Sequence, residues 1–306
     1  MKKMFIHEVG PRDGLQVEDQ TVPTEQKIKW IKKLAESGID IIQLGSFVNP
    51  KRMPQMADTD ELFKYFRGED WKNNRIIFSG LVLNEKGMER GMASGVEMFC
   101  MGVSASETHS IKNTGTGTKK ATSTIIDMAK TAIGSCKKVQ ASVQSAFGCG
   151  YEGKIPESRV LEIVTEYLNA GIRNISLADT AGHANPVKVE VMFETILALD
   201  PSVELACHFH DTYGLGLANC YSAFRTGVKY FESSFAGMGG CPFTAIASGN
   251  VCTEDLVHMF NNAGIRNDIE IEKIIEVSKD AERFFDRELP GVIHRTGIIK
   301  RNGTVL

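Results

Sequence analysis

The sequence predicts an α/β fold, a (β/α)8 TIM barrel followed by additional C-terminal helices, and three observations carry that expectation. Strand-like apolar runs alternate with helix-like segments eight times, the pattern of a parallel sheet joined by crossover helices. Four helix-like segments stop at the same punctuation, Ser37-Gly38-Ile39, Ser94-Gly95-Val96, Ala170-Gly171-Ile172 and Thr226-Gly227-Val228, with a glycine where a helix would end before a strand. Polar and charged groups recur at the carboxyl ends of the strand-like runs, where barrel enzymes assemble their sites. A doubly wound open sheet is the rival, but no GxGxxG-like turn follows the first run.

The first unit places a strand at residues 4–9, ending in Val9-Gly10-Pro11-Arg12-Asp13-Gly14-Leu15-Gln16, before a helix at 24–37. The second has a strand at 40–45, closing on Gln43-Leu44-Gly45-Ser46-Phe47, and a helix at 58–66; the third pairs 75–81 with 85–93. In the fourth, strand 96–103 and helix 118–136 are separated by a Ser/Thr/Gly-rich loop, 104–118. The fifth pairs 140–146 with 157–170, and the sixth pairs 174–177 with 186–199 across Ala178-Asp179-Thr180. The seventh runs from strand 204–210 to helix 216–226. The eighth runs from strand 230–235 through Ala236-Gly237-Met238-Gly239-Gly240-Cys241-Pro242 to helix 248–262. No long linker interrupts these units, so residues 1–262 read as one catalytic barrel domain. Residues 270–286 read as one or two further helices before Leu289-Pro290-Gly291 and a polar tail, so 263–306 is expected to be a helical appendage packed on the barrel.

With 42% hydrophobic residues, 24% charged residues and a net charge of -3, the 306-residue chain has the composition of a soluble globular enzyme and lacks the basic excess of a nucleic-acid binder. No apolar segment reaches signal or membrane-spanning length, which leads us to expect a cytoplasmic protein without a membrane partner. Its seven cysteines are odd in number and lack CxxC spacing, so neither a disulfide framework nor a structural zinc site is indicated.

In His208-Phe209-His210-Asp211-Thr212-Tyr213-Gly214, period-two alternation puts His208 and His210 on one face of a strand end. Two converging imidazoles can share a metal ion; they can equally be hydrogen-bonded polar residues at a strand terminus. These seven residues leave both readings open.

Gly10-Pro11-Arg12-Asp13-Gly14-Leu15-Gln16, the His208–Gly214 segment and Gly237-Met238-Gly239-Gly240-Cys241-Pro242 together resemble hydroxymethylglutaryl-CoA lyase, of the DRE-TIM metallolyases. Ser46-Phe47-Val48, Tyr151-Glu152-Gly153-Lys154 and Ala247-Ser248-Gly249-Asn250 extend the match in the expected order, from about Glu8 to Val257. The resemblance implies a barrel, a divalent cation and retro-Claisen cleavage of a 3-hydroxyacyl-CoA. It carries metal ligation onto Asp13, His208, His210 and Asn250, thioester contact onto Arg12, an active-site carboxylate onto Asp179, and a catalytic thiol in a glycine-rich loop onto Cys241. Family members commonly dimerise, and the tail after Asn262 could contribute to a homodimer.

The chemistry asks for these groups independently. Cleaving C2–C3 requires removal of a hydroxyl proton, stabilisation of a thioester enolate and its reprotonation. A divalent cation serves as Lewis acid and template, and the mixed imidazole, carboxylate and amide set suits Mg²⁺ or Mn²⁺ better than tetrahedral zinc. Arg12 can face developing enolate charge or act as an ion-pair partner of Asp13; Asp13 or His208 could take the hydroxyl proton. Cys241 could protonate the enolate, or be one more buried cysteine. In loop 104–118, Lys112 and Asn113 could hold the phosphates of an acyl-CoA substrate, or be incidental to a solvated loop.

One position departs from the pattern. Gln43 stands where the family has a glutamate, which removes a negative charge near the cation and Arg12. Either this is a tolerated isostere, or the substrate is another 3-hydroxyacyl-CoA such as citramalyl-CoA. A Claisen-type synthase, and a non-catalytic barrel that binds acyl-CoA, are the competing functions.

Overall fold

Eight parallel strands close into a barrel in chain order: β1 (Phe5–Glu8), β2 (Ile41–Ser46), β3 (Ile77–Leu81), β4 (Met98–Ser104), β5 (Lys138–Gln144), β6 (Asn174–Asp179), β7 (Glu204–Phe209) and β8 (Tyr230–Ser233). Each strand pairs with the next, and β8 returns to β1 with Phe5 opposite Tyr230 and Glu8 opposite Ser233. The computed structural model describes residues 4–68, 76–240 and 249–299. The closed parallel barrel is the fold class expected from the alternating pattern.

The helices are α1 (Thr24–Glu36), α2 (Thr59–Gly68), α3 (Glu85–Ser94), α4 (Glu107–Thr114), α5 (Thr118–Gly134), α6 (Glu157–Asn169), α7 (Pro186–Leu199), α8 (Gly216–Thr226), α9 (Thr253–Asn262), α10 (Ile271–Phe285) and α11 (Ile293–Thr296). The punctuating glycines do what their position implies: Gly38, Gly95, Gly171 and Gly227 all have positive φ, from 84° to 111°. Ile42, Leu44, Phe99, Ile175 and Leu205 are buried between strands and helices. Five of the six described cysteines are buried, Cys136 is exposed, and all six are free thiols.

Two stretches differ from the expected reading. The segment 104–118 is not all loop, because α4 forms inside it. Ser106 caps its start by accepting from the His109 amide at 3.1 Å, and Gly115 ends it at φ 76°. The serines and glycines that read as loop are thus capping chemistry. The last barrel helix begins at Thr253 rather than 248, because the preceding backbone is committed to the strand ends: Asp211 N–H donates to Gly249, Val251 N–H to Phe209 and Ser234 N–H to Val251. Residues 249–252 therefore bridge β7 and β8.

After α9 the chain returns to α1. The Trp30 indole donates to Asp280 at 2.9 Å, and its ring packs on Phe235, Phe284 and Phe285 at centroid distances of 5.7, 5.6 and 6.4 Å. Fully buried His294 lies 3.0 Å from both Glu254 and Glu282, so α9, α10 and α11 meet at one imidazole. No helix among the described residues is long and apolar enough to cross a membrane.

Trp30 joins α10 to the Phe235–Gly237 turn that follows β8. Trp30→Ala should cost about 3–5 kcal/mol in equilibrium urea unfolding. Trp30→Phe, which removes only the indole donor and part of the ring, should cost much less; equal losses in the two variants would contradict this packing role.

Candidate active site

The β1 exit sets the geometry. The Val9 carbonyl accepts from the amides of Arg12, Asp13 and Gly14 at 3.0, 2.7 and 3.5 Å, giving a turn of π-helix over Gly10–Gly14. Pro11 sits at its start, where a missing N–H costs nothing. The widened turn brings Arg12 and Asp13, neighbours in sequence, to one cavity. Beneath it the buried Glu8 carboxyl accepts from Gly10 N–H at 2.6 Å, Phe235 N–H at 3.1 Å and the Thr253 hydroxyl at 2.6 Å. It ties the exits of β1 and β8 to the start of α9. A Cβ at Gly10 would stand 2.5 Å from this carboxyl oxygen.

Asp13, His208 and His210 converge, with one ligating atom from each lying within 4.8 Å of the others. The two imidazole Nε2 atoms are 3.2 Å apart, and His208 Nε2 is 3.7 Å from Asp13 Oδ2. Asn250 Nδ2 donates to Asp13 Oδ2 at 2.9 Å and to the Met238 carbonyl at 3.0 Å, while its buried Oδ1 has no partner among the described residues. A buried, orphaned amide oxygen beside a carboxylate and two facing imidazoles has the chemistry of a cation site, and these four residues fit a divalent metal.

The flanks of the glycine-rich loop are pressed onto this cluster. A Cβ at Gly239 would stand 2.5 Å from Asn250 Nδ2, and one at Gly249 would overlap the Gly237 carbonyl.

Charge explains the protonation states. Burial acts to raise the Asp13 pKa, but Arg12, His208, His210 and the Asn250 donor outweigh it and hold the carboxyl at about 2. Burial and then the His208 charge push His210 down to about 4. His208 goes the other way: burial opposes its charge, but Glu232 and Asp13 raise its pKa above the ordinary value. Its Nδ1 lies 2.9 Å from Glu232 Oε2, and Ser176 donates to the other Glu232 oxygen at 2.7 Å. Anionic Glu232 therefore holds the proton on Nδ1 and leaves Nε2 facing Asp13 and His210.

Arg12 donates through Nε to the Gln43 side-chain oxygen and through Nη1 to Asp13, whose Oδ1 also accepts from Gln16 at 2.9 Å. Gln43 thus touches Arg12, as a neutral acceptor. Asp179 is placed differently: its fully buried carboxyl accepts from the His183 and Ala184 amides at 2.8 and 3.0 Å, and burial raises its pKa to about 6 despite those donors. It braces the loop after β6 and is not among the residues lining the cavity. Asn113 lines the cavity rim, whereas the Lys112 ammonium lies 3.9 Å from the centroid of the Tyr151 ring. Cys241 lies outside the described residues.

The cavity has a volume of about 390 Å³ and runs from Arg12 and the histidine pair down to Gln140 and Ser176 inside the barrel. Sequence reasoning missed Gln16, Gln140 and Glu232. Glu232 carried a readable signal, as a charge inside an apolar strand that pairs directly with His208.

Residues 3–280 match the HMGL-like family model. The chain is 37% identical over 289 residues to the hydroxymethylglutaryl-CoA lyase YngG of Bacillus subtilis, covering 94% of this chain and 95% of the relative. It is 39% identical over 275 residues to the mitochondrial hydroxymethylglutaryl-CoA lyase of Homo sapiens, covering 90% and 83%. A solved HMG-CoA lyase from Acinetobacter baumannii, in complex with coenzyme A and 3-methylmalate, superposes with a TM-score of 0.91 at 36% identity, covering 100% of this chain and 98% of that one.

The raised pKa of His208 gives a pH signature with a definite sign. Protons compete with a cation for its Nε2 below that pKa, so Mn²⁺ affinity measured by calorimetry should begin to fall at a pH above the ordinary imidazole value of 6.5. The fall should approach about tenfold per pH unit for each competing proton. Affinity that is flat from pH 8 to pH 5 would contradict imidazole ligation.

Proposed function

The chain belongs to the hydroxymethylglutaryl-CoA lyase family of the DRE-TIM metallolyases, and we propose that it is a divalent-metal-dependent carbon–carbon lyase that cleaves hydroxymethylglutaryl-CoA, or a close 3-hydroxyacyl-CoA, to acetyl-CoA and a keto acid. For hydroxymethylglutaryl-CoA the keto acid is acetoacetate. The observation that carries this reading is the buried Asp13, His208 and His210 cluster, completed by the orphaned Asn250 oxygen and set beside Arg12 at the mouth of the cavity.

Asp13, His208, His210 and Asn250 would hold the cation, and their mixed oxygen and nitrogen set supports Mg²⁺ or Mn²⁺. A divalent cation held there would supply Lewis acidity that lowers the pKa of the substrate hydroxyl.

In the reaction the hydroxyl proton departs, C3 becomes a ketone, and the C2–C3 bonding pair passes to C2 as a thioester enolate. Asp13 or His208, 3.7 Å apart, would take that proton, directly or through a water. Arg12 is a fixed positive charge for the enolate oxygen. Its grip on Gln43 and Asp13 sets the guanidinium before substrate arrives, so little reorganisation remains to be done. Cys241 would return a proton to C2, closing the balance without a further reactant. Asp179 acts as a positioning residue through the loop it braces. The cavity-lining position of Asn113 supports a contact with the CoA arm.

Gln43 gives a second reading its footing. A neutral acceptor on Arg12 leaves Asp13, among the described residues, as the only carboxylate bonded to that guanidinium, which supports another acyl group such as that of citramalyl-CoA.

Acyl-CoA thioesters presented with Mg²⁺ or Mn²⁺ should yield acetyl-CoA, with turnover lost on chelation and restored by metal; no cleavage of any 3-hydroxyacyl-CoA would overturn the proposal. Arg12→Gln should lower kcat/KM by about 10²-fold or more, near 3 kcal/mol. Gln43→Glu should raise hydroxymethylglutaryl-CoA cleavage relative to citramalyl-CoA cleavage if Gln43 sets the acyl choice.

A further inference from the structure

The floor of the cavity contains a donor without an acceptor among the described residues. Gln140, on β5 and 3% exposed, lines the cavity, and its buried Nε2 has no hydrogen-bond partner among them. Its Oε1 is 3.8 Å from the thiol of Cys100, the residue opposite it on β4. Closing an apolar acyl group over this amide would strip its water and supply no replacement, which makes a methyl a poor occupant.

The walls leave a path to it. One period nearer the barrel mouth, Gly102, Ser142 and Ser176 sit opposite one another across β4, β5 and β6, three small residues in one row. Ser142 and Ser176 line the cavity together with Gln140, so the cavity itself reaches the amide past these two small side chains. The charge around Gln140 limits what a substituent there can be. Burial pushes the Cys100 thiol up to about 12, so it stays neutral, and the charges that reach this region are Glu232, already bonded to His208 and Ser176, and Arg12, already bonded to Asp13 and Gln43. A carboxylate would add a second anion beside Glu232 while the guanidinium in the same cavity is already taken up by Asp13 and Gln43. A neutral hydrogen-bonding group meets the Gln140 donor without adding charge.

We propose that Gln140 is a specificity-determining residue, and that the preferred 3-hydroxyacyl thioester carries a neutral hydrogen-bond acceptor, such as hydroxymethyl, where hydroxymethylglutaryl-CoA carries its C3 methyl. This rests on the lyase reading above. The chemistry is unchanged: the C3 hydroxyl proton leaves, the C2–C3 pair is protonated at C2, and 3-hydroxy-3-(hydroxymethyl)glutaryl-CoA gives acetyl-CoA and 4-hydroxyacetoacetate with no other reactant.

The test compares kcat/KM for hydroxymethylglutaryl-CoA and its hydroxymethyl analogue, both with Mn²⁺, in the wild type, Gln140→Leu and Gln140→Met, after melting curves show that the variants fold. The wild type should favour the hydroxymethyl substrate at least about tenfold, and both variants should lose that preference while gaining on the methyl substrate. A wild type that cleaves the methyl substrate equally well or better overturns the inference and leaves the lyase reading standing. So does a hydroxymethyl preference that survives in both variants. Cleavage of neither substrate by the wild type overturns both.

Discussion

Burying the carboxylate of Asp13 obliges the fold to bring compensating groups to it from separate parts of the chain. Arg12 and Gln16 come from the turn after β1, His208 from the end of β7, and Asn250 from the strand-like bridge before α9. An isolated buried carboxylate would take up a proton rather than stay charged. Here the neighbours hold it ionised to about pH 2, which also makes it a ready ligand for a cation. The same need explains why Arg12 is drawn inward, and Gln43 meets it there. Site chemistry and local stability are therefore one balance of charge.

The frame that permits this lies one layer down. Glu8 gathers the exits of β1 and β8 and the first residue of α9 on one buried carboxyl, so the elements that carry Asp13 and Asn250 cannot drift apart. The Phe235–Gly237 turn above it leans on Trp30, which in turn is held by α10. α10 is thus connected by direct packing to the segment before Gly239. A Cβ at Gly249 would overlap the Gly237 carbonyl, so these two glycines lie against each other.

The barrel was legible because its period is written locally: alternating runs, left-handed glycines after helices, and polar strand ends all respond to short-range rules. Strand ends fall within two residues of the expected positions. The convergence of His208 and His210 follows from alternation alone, and their Nε2 atoms do meet. What alternation could not give was the rest of the cluster. Asp13 and Asn250 are 237 residues apart, and only the family resemblance brought them together before the fold did. α4 was hidden because capping serines and glycines have the composition of a loop. The late start of α9 reflects tertiary hydrogen bonds to β7 and β8 that no local preference encodes. Gln140 was passed over because a polar residue inside a strand reads as an outward one until barrel closure assigns the faces.

We propose that two imidazoles, a carboxylate and an amide oxygen form one cation site. Pulsed electron paramagnetic resonance of Mn²⁺ bound to protein labelled with ¹⁵N at histidine tests it most directly. A site built from both histidines gives hyperfine coupling to two imidazole nitrogens, reduced to one in His208→Ala and in His210→Ala taken separately. A Mn²⁺ signal without histidine nitrogen coupling, or coupling untouched by both substitutions, would contradict it.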